Sequence, residues 1–448
     1  MMRIFSGRKR PMHLGKYKME KIKRVDKPTT LITDNIRGVP KRAGFFVRAF
    51  YGDLGKKPGE EIRRFITKNP LNAAIGHLHW KHVSMHKGEP WDTKAPIPDD
   101  PEELSRHIKS VCYFMDADIV GICEVPEWAW FTHDSDGEEI KTRHKYAIVL
   151  VNDQGWDTME ASTGDDWISG ALSYRSYLNG STTASIVADY IRRLGYPAQA
   201  HSNAHGDVMQ IPLMVLAGLG EMSRIGEMVL NPFLGPRHKT AVITTDLPLA
   251  VDKPIDFGLQ DFCDKCKKCA RECPAQAIPY GDKVLYNGYE IWKPDVEKCT
   301  KYRVTNPKGS ACGRCMKVCP WNKEGLLAHT VAMWAAIKLP FTRRFLIWLD
   351  DKMGYGIRNP FKRWWLDLEI IGGKGERKVV KAKSNERDLT LDRDVSGGNG
   401  RIAFYPVDKL PGVEEKSAVP VDRKQALIDQ VEAERLLVEA KKNAKADA

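Results

Sequence analysis

The sequence lacks any apolar run of about 18 residues, the length that a membrane-spanning helix needs. Its two most apolar stretches, 208–220 and 326–337, are interrupted by polar residues. The basic segment near the N-terminus is not followed by the apolar stretch of a secretory or twin-arginine signal. The chain also lacks an internal repeat of roughly 20–50 residues, which argues against a solenoid. These absences predict a cytoplasmic protein without a membrane span.

The charge balance is basic but does not identify a partner. The 448 residues include 70 Lys and Arg against 58 Asp and Glu, a net charge of +12, and 42% are hydrophobic, which is enough for a buried core. Ten of the basic residues lie within residues 1–27, which we expect to form a solvated arm. Positive charge suits nucleic acid, an acidic redox partner or an anionic substrate, and its amount does not choose among them.

Cysteine is scarce but concentrated, since eight of the ten cysteines lie between residues 262 and 321. They form two groups, and in each group the last cysteine precedes a proline: Cys263, Cys266, Cys269 and Cys273, then Cys299, Cys312, Cys315 and Cys319. The second group has a longer interval between its first two members. This is the spacing by which bacterial-type ferredoxins bind two [4Fe–4S] clusters, so the segment predicts electron transfer.

The assignment of cysteines to clusters follows from the ferredoxin pattern, in which the cysteine before the proline crosses to the other cluster. We therefore expect a first cluster bound by Cys263, Cys266, Cys269 and Cys319. The second cluster is expected to be bound by Cys273, Cys299, Cys312 and Cys315. Disulfides are disfavoured because the cysteines are crowded and no export signal is found. Zinc is disfavoured because it gives no reason for the Cys-Pro endings. The remaining Cys112 and Cys123 are predicted to be core residues.

Helical and strand patterns alternate between residues 100 and 250. Asp99-Asp100-Pro101 marks a helix start, and apolar residues then recur at helical spacing. Short apolar strands are expected at 119–123, 146–151 and 241–245, and a helix at 181–194. The alternation indicates an α/β layer. We expect four regions: an N-terminal arm with short helices (1–95), an α/β domain (96–255), a cluster domain (256–325), and C-terminal helices with a wrapping loop (326–448).

A distinctive order of short motifs precedes the cysteines. They are Ser-Tyr174-Arg-Ser-Tyr177, Arg-Leu-Gly-Tyr196, His201-Ser-Asn203-Ala-His205, Ala217-Gly-Leu-Gly-Glu221-Met-Ser-Arg224-Ile-Gly226 and Gly-Pro-Arg237-His-Lys239. Followed directly by the two cluster motifs, this order resembles that of the corrinoid-dependent reductive dehalogenases. The resemblance covers residues 100–325, and the combination is specific although each motif alone is weak.

The resemblance implies an α+β or α/β fold, in which a nitroreductase-like cobalamin-binding domain carries an inserted ferredoxin-like domain with two [4Fe–4S] clusters. It also implies a base-off cobalamin, and the Asp-x-His-x-x-Gly motif of B12 enzymes that supply a lower histidine ligand is indeed absent. The missing twin-arginine leader matches the cytoplasmic catabolic branch. Because this chain shows no fused reductase domain of the kind common in that branch, we expect a separate ferredoxin-type, flavodoxin-type or reductase protein to donate electrons.

The resemblance further assigns catalytic roles. The proton donor corresponds to Tyr177 in preference to Tyr174, and an asparagine near the substrate corresponds to Asn203. The cation that assists the tyrosine corresponds to Lys239, with Arg237 as the second choice. Because a phenol has a pKa of about 10, a neighbouring cation is needed for it to release its proton readily at neutral pH.

Cofactor contacts are expected along the same motifs. The residues are Ser202, Asn203, Gly218, Gly220, Arg224 and Gly226. Glycines allow backbone to approach a flat corrin closely, and a tight packing turn is the alternative explanation for them.

Three functions are compatible with the sequence. The leading hypothesis is a reductive dehalogenase that acts on an organohalide. The resemblance places Arg303 at the substrate. Two cations, Arg303 and Lys239, would favour an anionic haloaromatic compound as that substrate. The second is an epoxyqueuosine reductase-like tRNA-modifying enzyme, disfavoured because that family's C-terminal helical repeats are not found, so a nucleic-acid partner is not expected. The third is a non-catalytic dicluster electron carrier or corrinoid-handling protein.

Overall fold

A computed structural model of the chain describes residues 10–446, apart from residues 142, 325–326, 374 and 391–401. Within this part of the chain the α-helices are α1 (Phe45–Tyr51), α2 (Lys56–Glu61), α3 (Pro70–Lys81), α4 (Pro101–Phe114), α5 (Trp156–Ala161), α6 (Ile168–Arg193), α7 (Gln210–Leu216), α8 (Leu259–Cys266), α9 (Lys268–Arg271), α10 (Val296–Thr305), α11 (Arg314–Lys317), α12 (Leu327–Lys338), α13 (Arg343–Lys352) and α14 (Arg423–Ala446). No helix among the described residues is both long and apolar enough to span a membrane.

The strands form one larger sheet and three hairpin-like pairs. They are β1 (Ile119–Glu124), β2 (Tyr146–Asp153), β3 (Ala198–His201), β4 (Glu221–Ser223), β5 (Gly226–Leu230), β6 (His238–Thr245), β7 (Val284–Tyr286), β8 (Tyr289–Ile291), β9 (Leu368–Ile371) and β10 (Lys378–Lys381). The larger sheet has the order β1-β2-β6-β3, and each of its pairings is antiparallel. The alternation of helix and strand therefore produces an α+β arrangement instead of a parallel sheet.

The sheet separates two hydrophobic cores because successive side chains of a strand point to opposite faces. On one face Ile148 and Leu150 pack against apolar residues of α4 and α6. On the other face Ala147 and Val149 belong to a core that includes α7 and extends to Cys263 and Cys319. Cys112 and Cys123 are buried, one in each core, as expected for core residues.

The start of α4 follows the sequence prediction in detail. Pro101 is its first residue, and the Asp100 carboxylate accepts a hydrogen bond from the Glu102 backbone N–H at 2.9 Å. This is an N-terminal cap that satisfies one of the free N–H groups of the first turn. The three predicted strands also form, as β1, β2 and β6.

The helix expected at 181–194 forms as part of α6, but α6 begins at Ile168, so the predicted helix start is wrong. Its Ser and Thr hydroxyls do not cap a helix start, since Ser181 Oγ lies 3.2 Å from His86 Nε2 and Thr183 Oγ1 donates to the Met115 carbonyl at 2.8 Å. Both hydroxyls are satisfied by neighbouring elements while the backbone continues as helix. Tyr174 and Tyr177 consequently lie inside α6 rather than before it.

The expectation of a solvated N-terminal arm is wrong for residues 10–27, while residues 1–9 lie outside the described part. Met19 and Ile22 are buried in the core beside the cluster segment. The Val25 backbone N–H donates to the Pro254 carbonyl at 2.9 Å, and Arg24 donates to the Lys253 carbonyl at 2.7 Å. This basic segment is thus fixed along the protein surface. The proposed division of the chain into four regions stays a prediction.

Candidate functional site

A cavity beside α8 is walled by the four thiols that the crossed pattern assigns to the first cluster. Its lining includes Cys263, Cys266, Cys269 and Cys319, together with Phe262 and Trp321. Cys319 therefore joins three cysteines of the other motif, although it lies 50 residues beyond Cys269, and Cys273 does not line the cavity. A cavity with four thiols in its wall suits a cubane, whose irons take one thiolate each.

The other four thiols form a neighbouring group. Cys315 lies near Cys273 and Cys299, and Cys312 lies near Cys315 and Cys299. Burial, followed by the nearby thiols Cys273 and Cys299, raises the pKa of Cys315 to about 12. In the described residues no three His, Cys, Asp or Glu side chains converge on a position for a single metal ion. Four thiols grouped in this way fit a multi-iron cluster, which displaces their protons when it binds.

Arg224, predicted to contact the cofactor, is fully buried against the loop of the first cluster. Its guanidinium donates to the carbonyls of Cys263 at 2.8 Å, Gly281 at 2.9 Å and Pro279 at 3.0 Å. These hydrogen bonds connect the β4–β5 turn to the cysteine loop. The side chain therefore fixes the protein around the first cluster.

Tyr177, Lys239 and Arg303 come together next to the second cluster. The Nζ atom of Lys239 lies 5.4 Å from the centroid of the Tyr177 ring. The charge of Arg303 acts on both residues, and it also acts on Cys299 and Cys315. Three half-buried residues that are distant in sequence thus form one group.

The sheet fixes the geometry of this group. The Ser176 hydroxyl of α6 donates to the Asn152 carbonyl at 2.6 Å, and Asn152 pairs with Lys239 across β2 and β6. The residue after Ser176 is Tyr177, so α6 and β6 hold the tyrosine and the lysine in a defined relation. Arg303 arrives on α10, between two ligands of the second cluster.

The electrostatics of the site favour a group that carries negative charge. Burial and the charge of Arg303 lower the pKa of Lys239 to about 8. Burial raises the pKa of Tyr177, and Arg303 opposes this shift. The Nε atom of Arg303 is buried and has no hydrogen-bond partner among the described residues. An unpaired guanidinium N–H beside an ammonium group is suited to bind an anion.

Arg237, the second choice for the assisting cation, is engaged elsewhere. Its guanidinium bonds to Asp153 at 2.7 and 3.2 Å, to Asn322 at 2.9 Å and to Glu324 at 2.9 Å. The side chain is fully buried and connects the sheet to the end of the cluster segment. This network favours Lys239 for the role beside Tyr177.

His79 is a member of the site that the sequence interpretation missed. Its ring is fully buried and stacks on Tyr177, with centroids 6.2 Å apart and planes inclined by 19°, while Tyr174 meets it edge-on at 6.0 Å. Neither ring nitrogen has a hydrogen-bond partner among the described residues, and burial lowers the His79 pKa to about 4. A histidine on α3, about 100 residues before the tyrosines, carried no sequence signal for this position.

The predicted corrinoid contacts fall in two places with different properties. Ser202 closes a tight turn, since its backbone N–H donates to the His205 carbonyl at 2.8 Å. Asn203 is exposed on that turn, and His205 Nδ1 is buried without a partner among the described residues. The turn therefore offers Asn203 and His205 as groups that could bind the polar edge of a corrin.

The second group of predicted contacts, the glycines Gly218, Gly220 and Gly226, packs against other segments of this chain. A Cβ atom on Gly218 would collide with the Lys253 carbonyl, one on Gly220 with the Leu230 carbonyl, and one on Gly226 with Pro294. Gly218 and Gly226 also have positive φ values of +65° and +96°, which favour glycine. Close packing of the chain thus accounts for these glycines, which supports the alternative explanation for them.

Comparison with known proteins agrees with the cysteine pattern. The family model described as "4Fe-4S dicluster domain" matches residues 262–323. The tetrachloroethene reductive dehalogenase of Desulfitobacterium hafniense is 39% identical over 400 residues, covering 72% of this chain and 70% of the relative. The chain therefore carries the two-cluster domain within a longer region of similarity.

Solved structures extend the similarity to nearly the whole chain. The catabolic reductive dehalogenase NpRdhA superposes with a TM-score of 0.92 and 47% identity, covering 98% of this chain and 64% of that one. Its complex with 3-bromo-4-hydroxybenzoic acid gives a TM-score of 0.93 at 47% identity, with 97% and 64% covered. A third structure is that of a reductive dehalogenase for which a mechanism of B12-dependent dehalogenation was suggested. It superposes with a TM-score of 0.93 at 47% identity, covering 98% of this chain and 64% of that one.

This chain spans about two thirds of the length of the solved proteins and 70% of the curated relative. The similarity includes both the sheet domain and the cysteine segment, and it confirms the predicted fold, the two [4Fe–4S] clusters and the cobalamin. The chain belongs to the family of corrinoid-dependent reductive dehalogenases.

Proposed function

We propose that this protein reduces anionic haloaromatic compounds and that Tyr177 donates the proton that replaces the halogen. The observation that carries the proposal is the grouping of the half-buried side chains of Tyr177, Lys239 and Arg303 next to Cys315, which is assigned to the second cluster. The grouping contains a proton source, a cation beside it and a second cation with an unpaired N–H. A reductive dehalogenation needs a proton at the carbon and a place for a charged substrate.

The overall reaction consumes two electrons and one proton, and it converts a carbon–halogen bond into a carbon–hydrogen bond with release of halide. A cobalamin, bound beside the 202–206 turn, would supply the low-potential reduction that breaking a carbon–halogen bond requires. The chain's own residues position the substrate and move the proton. Tyr177 Oη gives its proton to the carbon, and the adjacent Lys239 ammonium stabilises the phenolate that remains.

The substrate class follows from the two cations. Charge-assisted hydrogen bonds from a guanidinium to a phenolate or carboxylate are stronger than neutral ones, and they add orientation. The related NpRdhA was solved in complex with 3-bromo-4-hydroxybenzoic acid, a haloaromatic acid. We carry this substrate class over to the present chain, with Arg303 as the residue that binds the anion.

The corrinoid is proposed to lie against the 202–206 turn, with Asn203 and His205 as polar contacts. Electrons are proposed to enter at the first cluster and to leave from the second, because Cys299 and Cys315 of the second cluster adjoin Arg303. The electron donor is proposed to be a separate redox protein, and the cytoplasm is proposed as the compartment.

Substrate competition tests this proposal. The reconstituted protein receives a bromohydroxybenzoate and a chloroalkene together, with titanium(III) citrate as reductant. We expect preferential turnover of the aromatic acid. Replacing Arg303 by Ala should raise KM roughly 10- to 100-fold, because a charge-assisted hydrogen bond contributes about 1.5–3 kcal/mol. Lys301→Ala is the matched control, since Lys301 lies on the same helix but is exposed.

Two results would contradict the proposal. Preferential turnover of the neutral alkene would reject the substrate class, and an unchanged KM in the Arg303→Ala protein would reject the binding role of that residue. A preparation with intact clusters that turns over neither the bromohydroxybenzoate nor the chloroalkene, but binds or modifies tRNA, would instead favour the epoxyqueuosine reductase hypothesis. Intact clusters without corrinoid would favour a dicluster electron carrier.

A further inference from the structure

The layer formed by α12 and α13 packs against the segment that carries the cysteines of the first cluster. Met333 and Ile337 of α12, and Leu346 and Ile347 of α13, pack inward on the core that contains Cys263 and Cys319. The charges of Asp350 and Asp351, at the end of α13, act on Cys266.

Ion pairs fix the same layer to the cluster loop. Lys268, which lies between Cys266 and Cys269 in the chain, bonds to Asp350 at 2.5 Å and lies 2.9 Å from Asp351. On α13, Arg343 bonds at 2.6 Å to Asp261 of α8, the helix that carries Cys263. The outer surface of α13 thus lies one helical layer, about 10–12 Å, from the loop that carries Cys266 and Cys269.

The outer face of this layer carries large apolar side chains at helical spacing. Leu327, Val331 and Trp334 follow the pattern i, i+4, i+7 on α12, and their exposed fractions are 80%, 56% and 54%. The same spacing recurs in Phe341, which lies in the turn before α13, and in Phe345 and Trp348 on α13. Soluble proteins rarely expose such a contiguous apolar patch unless it binds something.

The exposed charges of this face are all positive. Within the described stretch 327–353 the exposed charged residues are Lys338, Arg344 and Lys352. The two acidic residues of the stretch, Asp350 and Asp351, turn inward to Lys268 and Arg271. The surface, which we call the α12–α13 surface, is therefore apolar and cationic.

We infer that the α12–α13 surface is the docking site of an acidic one-electron carrier protein of the iron–sulfur or flavin class. This inference rests on the proposed route of electrons into the first cluster. The reduced carrier would transfer one electron to that cluster through a single helical layer, and two such transfers would supply one dehalogenation. Aromatic side chains would form the centre of the contact, and the cations would attract acidic residues around the carrier's cofactor.

Charge argues against a second copy of the chain as the occupant. A symmetric pairing through this surface would bring the same cations of two copies together, and like charges across an interface are unfavourable. An acidic partner instead gains attraction at long range, which accelerates the encounter at low salt.

The test measures reduction of the clusters directly. A plant-type [2Fe–2S] ferredoxin, an acidic carrier, is reduced beforehand and mixed with the oxidised holoprotein, and the loss of cluster absorbance is followed in a stopped-flow instrument. The Lys338→Glu/Arg344→Glu protein should react at least about 10-fold more slowly at low salt, with a weaker dependence on ionic strength. Trp348→Ser should also slow the reaction. Reduction by dithionite, which needs no docking protein, should stay the same to within about 2-fold.

The control carries the same change in charge elsewhere. Lys56→Glu/Lys57→Glu reverses two exposed lysines at the start of α2 and should leave the rate with ferredoxin unchanged. Because this readout requires no halide release, failure of the proposed dehalogenase activity would not affect it.

Three results would overturn the inference. The first is an equal rate in the wild type and in both α12–α13 variants. The second is a wild-type dimer that Trp348→Ser converts into monomer, which would assign the surface to self-association. The third is binding to vesicles of phosphatidylglycerol and phosphatidylcholine that both variants abolish, with cluster reduction unaffected, which would assign it to a lipid surface.

Discussion

Two tyrosines one helical turn apart differ in what surrounds them. Tyr174 is 7% exposed and packs edge-on against His79 and Tyr177, whereas the Tyr177 ring has the Lys239 ammonium group 5.4 Å from its centroid. Burial raises the pKa of both phenols, with Arg303 acting in the opposite direction on each. The cation beside Tyr177 is the feature that favours it over Tyr174 as the proposed proton donor.

Replacing Tyr177 by Phe removes only the hydroxyl group, so cluster and corrinoid contents should not change. Turnover should fall roughly 100-fold or more, which is the usual contribution of a positioned general acid. The measurement is halide release under saturating substrate. Tyr174→Phe is the control and should retain most of the activity; the reverse ranking of the two variants would transfer the donor role to Tyr174.

Lys239 should give the reaction an alkaline limit. Because its pKa is about 8, the Lys239 side chain is charged at neutral pH and loses its proton and its positive charge as the pH rises through that value. The efficiency kcat/KM should therefore decrease above about pH 8. Arginine stays protonated throughout this range, so the residual activity of the Lys239→Arg protein should not decrease above about pH 8. A profile that is the same for the wild type and this variant would assign the limit to another group.

At the residue scale the sequence identified the cysteines but not all of the site. Cysteine spacing is a local pattern, so it can be interpreted without a structure. The choice between Lys239 and Arg237 depends on Asp153 and Glu324, which lie 84 and 87 residues from Arg237 in the chain. His79 was missed for the same reason, because its role arises only where α3 meets α6.

At the scale of elements, the crossing of the two cysteine motifs is the feature that defines the cluster segment. Cys319 belongs to the second motif in sequence, yet it lines the cavity with Cys263, Cys266 and Cys269. Replacing Cys319 by Ser should therefore disturb the first cluster and leave the second intact. Cys315→Ser, four residues earlier, should do the opposite.

Iron analysis and electron paramagnetic resonance of the reduced proteins measure this difference. Each variant should lose about four of eight irons, or convert one cubane to a three-iron form, and the two variants should lose different signals. Loss of the same signal from both proteins would show that the fourth ligand of each cluster comes from its own motif.

The elements themselves were predictable where the signals are local and not where tertiary contacts decide. The Asp100-Pro101 helix start and the apolar strands were predicted because caps and hydrophobic runs act over a few residues. The start of α6 at Ile168 was not, because Ser181 and Thr183 resemble capping residues until His86 and Met115 provide partners for them. The many charged residues of segment 10–27 predict a solvated arm, and the sequence gives no sign that Met19 and Ile22 are buried.

At the scale of the molecule, the antiparallel sheet organises the proposed electron route. One face holds helices α4 and α6 in a core of their own, and the other face continues into the core of the cluster segment. The cysteines assigned to the first cluster lie on the segment that α13 contacts, and Cys315, assigned to the second, lies beside Arg303 and Lys239. A carrier docked on the outside and a substrate bound inside would thus be connected by the two clusters.

The most direct test of the account is bromide release by the purified protein after anaerobic loading with iron, sulfide and cobalamin. The protein should hold about eight irons, as expected for two cubanes, and one corrinoid. With titanium(III) citrate and 3-bromo-4-hydroxybenzoate it should release one bromide and form one 4-hydroxybenzoate for every two electrons consumed, and omission of the corrinoid should abolish both. A fully loaded protein that releases no halide from this or any other haloaromatic acid would contradict the account.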